Sequence, residues 1–463
     1  MALIYLANLE GKPDKPRADK FRTLHFPTGL GLMSGVLSNT DHEVRVVDNY
    51  VPDFTYEQAL VELERNQPDY ILFSGFLGNL QYGFVKKASR RIKELCPKST
   101  LIIGGPMAAA IPEMLIRFAT FDYVVIGEGE ETLLDLLDAL ERGRSPDTVH
   151  GICYAPPNGE PRRTPVRHRM KDLTAHPFPR YELFDMDAYV SYLKRTGRSW
   201  EISTSRGCYA RCSYCKLTFG SKITFRPVDH VVEEMAMIKR RFGVEKFNFV
   251  DDNFLNSVRQ VEEMVAALHR SEEKFQFRFQ GRADRIDGRL ARLMKGAGCF
   301  DISYGLESGS QKILDDMKKT LDVKRAAKNL MEVLDSGIDM HATFIVGMPP
   351  EDEGTIAATK DFIRDVGVPN VSAGILTPFP DTVIYELAKS RGLIADDDAY
   401  CESLRVVYDD VYVNLTSFPD QQLRDWRREL NALGQHRAVY TSVEELVAAR
   451  PDPSAPTAGP MAG

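Results

Sequence analysis

Residues 200–215 read WEISTSRGCYARCSYC. The opening six residues are a candidate strand. The loop that follows carries Cys208, Cys212 and Cys215 in a C-x3-C-x2-C arrangement. A structural zinc site or a wholly protein-held iron–sulfur cluster takes four protein ligands, so a trio raises the question of what fills the fourth position. Thiolates so spaced on a tight loop can converge on one cubane cluster and leave one iron open, as an open zinc position marks a catalytic site. The competing reading is a zinc knuckle completed by histidine. Its nearest downstream candidate, His230, lies fifteen residues past Cys215, beyond the usual short spacing. Cys96, Cys153, Cys299 and Cys401 are scattered and read as core or surface residues.

Downstream of the loop, strand and helix patterns alternate to about residue 393. Strand candidates after WEISTS are KFNFVDD, FQFRFQGRA, CFDISYGLE, MHATFIVG and NVSAGILTPF, and helical stretches such as SVRQVEEMVAALHR separate them. Six βα units predict a barrel or partial barrel over 200–393, with chemistry at the C-terminal ends of the strands. The three-cysteine loop follows the first strand and so falls on that face. Residues 394–448 predict a small helical cap, and 449–463 a disordered tail.

Upstream, residues 1–150 show the same alternation: LIYLAN, EVRVVD, DYILFSG, TLIIGG and DYVVIGEG read as buried parallel strands. This predicts a doubly wound α/β domain whose ligand face is the set of loops after the strand ends. Those loops hold Ser74–Gly75, Gly104–Gly105 and Gly127–Glu128. None forms GxGxxG, so a plain nicotinamide site is not indicated. Residues 151–199 are proline-rich with an Asn158–Gly159 turn signal, and predict a linker with one small hairpin. The 463-residue length asks for more than one core. A net charge of −7 argues against a nucleic-acid binder driven by a basic surface, and no apolar run approaches a membrane span. Seven cysteines, three of them clustered, argue against a disulfide framework and for a reducing cytoplasm.

CYARCSYC resembles the signature of radical S-adenosylmethionine (SAM) enzymes, in which an aromatic residue, here Tyr214, precedes the third cysteine. FVDDNF, YGLESGSQKILDDMKK, FIVGMPPED and LTPFPDTVIYE are similar to runs in those radical SAM enzymes that carry an N-terminal cobalamin-binding domain. FPTGLGLMSGVLSNTDHEVRVVD, LIIGGPMAAAIPE and DYVVIGEGEETLLDLLDAL are similar to that companion domain. The resemblance implies an N-terminal Rossmann-like cobalamin domain, a radical SAM partial (β/α)6 barrel and three cofactors: a 4Fe–4S cluster, SAM and cobalamin. It answers the opening question, because SAM chelates the open iron and is cleaved to a 5′-deoxyadenosyl radical.

The resemblance implies residue roles as well. Cys208, Cys212 and Cys215 ligate the cluster, and Tyr214 contacts adenine through its backbone. The run Asp251–Asp252–Asn253 stands where the SAM amino group is met, by Asp251 or Asp252; the competing reading of either aspartate is a helix cap. Glu307 and Ser308 hold the ribose and polar end. Arg282 pairs with the SAM carboxylate, or else with Asp284 or Asp287 as a structural ion pair. Gly347 allows close approach to adenine. His341, Thr343 and Tyr304 are the substrate-facing candidates, with a satisfied interior histidine as the competing reading of His341. Ser74, Gly75, Gly104, Gly105, Gly127 and Glu128 face the corrin and its nucleotide tail. No D-x-H-x-x-G motif supplies a lower axial histidine, and the domain's histidines, His25 and His42, lie outside such a pattern. Cobalamin then binds without a histidine below cobalt, or the domain keeps the fold without cobalamin.

The implied activity is methyl transfer from methylcobalamin to an unactivated carbon of a small molecule or natural product. An external electron donor of flavodoxin or ferredoxin type is implied, and neither nucleic acid nor membrane. The alternative outcomes are cyclisation, ring contraction, epimerisation or another rearrangement. From a different class, a non-enzymic metal-stabilised binding module or cobalamin sensor fits the open cysteine face poorly.

Overall fold

The computed structural model describes residues 1–10, 24–78 and 81–434. The expected tail at 449–463 and the end of the expected cap, 435–448, lie outside the described residues. Two parallel sheets dominate. The first is built from β1 (Leu3–Asn8), β2 (Glu43–Asp48), β3 (Tyr70–Ser74), β4 (Thr100–Gly104) and β5 (Tyr123–Val125), extended by β6 (Ile152–Tyr154) and β7 (Arg162–Arg163). Its order is β2-β1-β3-β4-β5-β6-β7. β1 pairs in parallel with both β2 and β3, so the chain reverses its direction of winding there. The crevice outside the strand ends at such a reversal is where doubly wound sheets hold ligands.

The stretch expected to be a linker is more ordered than its proline content suggests. β6 and β7 are antiparallel additions to the first sheet, joined through a turn in which Asn158 takes φ +59°. The helix Met186–Thr196 follows, capped by Asp185 and ended by Gly197 in the left-handed region. Its Tyr189 hydroxyl donates to the buried Asp48 carboxylate at the end of β2. Strands of two and three residues carry no readable period, so only the turn between them was visible in the sequence.

The second sheet runs β15-β14-β13-β12-β11-β8, all parallel: β8 (Trp200–Ile202), β11 (Lys246–Phe249), β12 (Gln276–Gly281), β13 (Cys299–Glu307), β14 (Asp339–Val346) and β15 (Asn370–Ile375). Alternation sorts its side chains. Phe247, Phe249, Phe277 and Phe279 are fully buried on the helix-covered face, Phe249 stacking on Phe277 at 5.1 Å. The other face carries Asn248, Arg278, Asp301, Ser303 and His341, a polar interior rather than an apolar plug. Between β8 and β11 a two-stranded ladder, β9 (Ser205–Arg206) against β10 (Thr224–Phe225), pinches the cysteine loop at its base.

Two of the helices after the last strand take different positions. The helix Asp420–Asn431 covers the outer strand: the Asn431 side chain accepts from Ala373 N at 2.8 Å and donates to Ala373 O at 3.1 Å, imitating a further strand. The helix Asp397–Ser403 reaches the first sheet's side instead, where Asp398 accepts from the Tyr82 hydroxyl and from Lys86. Among the described residues no helix is long and apolar enough to cross a membrane.

Candidate active site

The cysteine loop is held from three sides. Gly207 N donates to Asp252 at 3.0 Å, Asn256 Nδ2 donates to Gly207 O at 2.9 Å, and Ser213 N donates to Met317 O at 2.8 Å. The three thiols sense one another. Burial pushes Cys215 up to about 12, with the Cys212 thiol, the Asp252 carboxylate and the Cys208 thiol adding to it. Burial also raises Cys208, with Asp252 and Cys212 contributing. Thiols raised in this way are poor free nucleophiles, and a bound cation inverts that logic by favouring thiolate. Among the described residues no three such side chains close on one mononuclear metal position.

Around the loop the structure divides the expected SAM residues into two groups. Asp252 is exposed, next to the thiols, and lines the main cavity. Asn253 is buried with its Oδ1 unpaired, and Arg282 is buried with its Nη1 unpaired. One is an acceptor and the other a cationic donor, each a group that a polar ligand would satisfy. The rest of Arg282 is already engaged: Nε meets Asp284 at 3.0 Å and Nη2 donates to Lys319 O at 2.7 Å. The ion pair with Asp284 and a free donor coexist, while Asp287 caps the helix Gly288–Gly296 instead.

The second group is spent on the fold. Asp251 accepts from Thr204 N (2.7 Å), Ser205 N (2.9 Å) and the Thr204 hydroxyl, which ties β11 to the start of the cysteine loop. Ser308 shares a hydrogen bond with Thr359 (3.1 Å) and accepts from Ser310 N (3.1 Å). Tyr304 corrects an expectation: it pairs in register with Ala342, on the face opposite Ser303 and Gly305, and is fully buried in the core. His341 and Thr343 do lie on the interior face. Burial, helped by Arg278, holds His341 down at about 4, so it is neutral near pH 7.

Two residues invisible as site residues in the sequence organise this rim. Lys319 is buried and donates to Glu307 at 3.2 Å and to the Tyr214 hydroxyl at 3.3 Å. Glu307, a non-glycine at φ +70°, thereby carries backbone strain at the strand end that faces the cysteines. Lys319 stands in the quoted DDMKK run, but nothing there distinguishes a buried lysine from a solvated one. Gly347 adopts φ +104°, a conformation for which a side chain is strained. Its N–H donates to Glu351 at 2.9 Å, and burial pushes that carboxyl up to about 7.

Facing the cysteine loop is a cavity of about 360 Å3, within the roughly 300–1,000 Å3 of ordinary small-molecule sites. One wall is Asp252, Val250, Phe219 and Arg206 from the barrel side. The other is Ser74, Gly104, Gly105, Gly127 and Glu128 from the first sheet. Gly105, at φ +87°, could not carry a Cβ without approaching Ser74 Oγ to 2.8 Å and Gly75 O to 3.1 Å. At Gly127 nothing lies within 4 Å of a Cβ position, so that edge opens on free space. Gly75 itself is turned towards Met107. Glu128 lines the cavity but is committed: it meets Arg206 at 3.2 Å and Arg169 at 3.3 Å and accepts from Met170 N at 2.6 Å. Arg206 also pairs with Glu130, so the residue two before Cys208 is bolted to the N-terminal sheet. His25 pairs with Glu201 and His42 lies against Glu141, and neither borders this cavity.

Residues 202–363 match the radical SAM superfamily and residues 15–137 the B12 binding domain. The chain belongs to the radical SAM enzymes with a cobalamin-binding domain. Its cofactors are a 4Fe–4S cluster, SAM and cobalamin, and the trio of thiols, the two orphaned polar atoms and the glycine-walled cavity fit them. The chain is 26% identical to an uncharacterized methyltransferase of Pyrococcus horikoshii, over 80% of this chain and 79% of that one. It is 24% identical to the cytidylyl-2-hydroxyethylphosphonate methyltransferase of Streptomyces wedmorensis, over 89% and 88%. It is also 24% identical to the anaerobic magnesium-protoporphyrin IX monomethyl ester cyclase of Rubrivivax gelatinosus, over 81% and 68%. Its fold matches that of the radical SAM methyltransferase TsrM of Kitasatospora setae, solved with cobalamin and a 4Fe–4S cluster, at a TM-score of 0.71 and 19% identity, covering 85% and 76%. In this radical SAM enzyme, then, the glycine loops and the cysteine loop are opposite walls of one chamber.

Proposed function

We propose that this enzyme transfers a methyl group to an unactivated carbon of a small molecule. The observation that carries the reading is the shared chamber: the glycine loops of the B12-binding domain and Asp252 of the barrel line the same cavity. When bound, the cofactors supply one-electron cleavage of SAM and a methyl group for transfer. Cys208, Cys212 and Cys215 hold the cluster. Asn253 Oδ1 accepts from the SAM amino group, and Arg282 Nη1 donates to its carboxylate. Asp252 stands beside the thiols to meet the same amino group. The Tyr214–Lys319–Glu307 unit fixes the strand end against which the ribose sits. Ser74, Gly104, Gly105 and Gly127 would let the backbone approach the corrin and its tail, and the described residues of the cavity wall include no histidine. Val250 and Phe219 help keep water from the space between the two walls. The substrate enters that space, with neutral His341 and Thr343 on the barrel's interior face beneath it. Reducing equivalents come from an external one-electron carrier of flavodoxin or ferredoxin type.

The test is product stoichiometry under anaerobic turnover with cobalamin. Methyl transfer to an unactivated carbon yields S-adenosylhomocysteine and 5′-deoxyadenosine together, alongside product heavier by one methylene. Product formed with 5′-deoxyadenosine alone refutes it. That outcome supports the second reading, a cyclisation or rearrangement, which the similarity to a cyclase favours.

A further inference from the structure

The segment that follows the helix Asp397–Ser403 bridges the loop after β3 and the end of β15. On one side Val407 packs against Gly78 of the loop after β3, where a Cβ on that glycine would come within 2.6 Å of the valine. On the other, Tyr408 is strapped to the end of β15: Ile375 N donates to Tyr408 O at 2.8 Å, and Tyr408 N donates to Thr377 Oγ1 at 3.1 Å. The Tyr408 Cβ sits over Gly374, where a Cβ would approach to 2.7 Å, and its ring meets Phe379 edge-on at 5.9 Å. Tyr408 is a non-glycine at φ +68°. A bulky residue held in the left-handed region is costly and persists only where its surroundings over-determine it, which is commonest at ligand sites.

The direction in which the strained residue points makes the case. Its phenol lies within electrostatic reach of the Glu307 carboxylate and the Cys215 thiol, and burial raises it above the ordinary tyrosine range. Yet 44% of the residue is reachable by solvent. The loop after β15 on which Tyr408 packs also touches the cysteine loop, where Ile384 N donates to Ser213 O at 3.1 Å and Lys216 pairs with Asp381. Among the described residues the Tyr408 hydroxyl has no hydrogen-bond partner.

We propose that Tyr408 is a SAM-binding residue contributed by the segment that bridges the loop after β3 and the end of β15, its hydroxyl donating to a polar group of SAM bound between Glu307 and the cluster. The inference rests on the site reading above and adds to it a contact from outside the barrel. Because the neighbouring Val407 touches the first sheet, the same segment places a SAM contact in register with the B12-binding domain.

The test uses the holoenzyme with its cluster reconstituted, in wild-type and Tyr408→Phe forms, without substrate. SAM is titrated while the electron paramagnetic resonance signal of the reduced cluster is followed. The phenylalanine keeps the ring packing on Phe379, so iron content and melting temperature stay as in wild type. The SAM concentration at half-change rises about tenfold, the loss expected for one hydrogen bond to a charged ligand. An unchanged midpoint in Y408F overturns the proposal. So does an unchanged midpoint with an altered KM for substrate, which places the phenol on substrate instead. A wild-type cluster that gives no response to SAM overturns the parent reading and this one together.

Discussion

The two walls of the chamber are made by opposite means. On the barrel side, named side chains do the binding: three thiols, an unpaired guanidinium nitrogen, an unpaired amide oxygen and a carboxylate. On the side of the first sheet, binding depends on side chains being absent. Gly127 opens on free space, Gly105 takes φ +87° tight against Ser74, and the acids there, Glu128 and Glu130, are turned to holding the domains together. A small ligand with a fixed charge pattern calls for specific atoms. A large, mostly neutral macrocycle calls for shape and close backbone approach.

That contrast breaks most readily at the cysteines. Replacing Cys208, Cys212 or Cys215 singly by alanine removes SAM cleavage altogether, read as loss of 5′-deoxyadenosine and of the brown cluster absorption, while cobalamin still binds the other wall. Retained cleavage in any of the three would end the side-chain account. Next in size is the tie between the walls. Arg206→Met leaves Glu128 and Glu130 as buried carboxylates without that partner, and breaking a buried pair in this way destabilises by about 3–5 kcal/mol. Denaturant unfolding checks it, and a loss below about 1 kcal/mol would show the tie to be slack. Smaller, and aimed at the first sheet alone, is Gly105→Ala. The φ of +87° and the approach to Ser74 Oγ predict at least a tenfold loss of cobalamin affinity, by equilibrium dialysis, with iron content unchanged. A parallel fall in iron would mean that the walls are not independent.

The smallest effect is one of pH. Glu351 titrates near 7 in the folded chain because it is buried, against an ordinary value of 4.5. The folded state therefore holds its proton more tightly than the unfolded one. Stability from this group is complete below about pH 4.5 and is lost as pH rises through 7. Glu351→Gln flattens that slope by about 1–3 kcal/mol across the window, measured by unfolding at pH 5 and pH 8. Since Glu351 anchors the N–H of Gly347, a sharper variant of the test asks whether SAM affinity follows the same titration.

How much of this could be read beforehand follows the same division. The order of the barrel strands, the position of the cysteine loop and the need for glycine at 347 were legible, because each is a local pattern: period, spacing, or a residue type in a fixed run. The fates of Asp251 and Asp252 were not. They are adjacent in sequence and equally acidic, and only the approach of Thr204 and Ser205 decides that one is consumed and the other faces the cavity. Tyr304 was misplaced by a single step of alternation. Glu128 read as a ligand residue because its partners, Arg169 and Arg206, lie 41 and 78 residues away. The β6–β7 hairpin was legible from its Asn158–Gly159 turn, but not its addition to the first sheet. Glycine-built surface is the hardest to read, since a turn glycine and a cofactor-facing glycine are spelled alike.

The Arg206 tie sets a rule for anyone recombining this architecture. An enzyme whose front half is exchanged for that of a relative keeps its cysteines and its glycines, yet arrives with a buried cation whose counter-charges left with the discarded half. Chimeras should be viable only when the donor brings acids at the equivalents of both Glu128 and Glu130. The junction, more than either cofactor pocket, is what limits such exchanges.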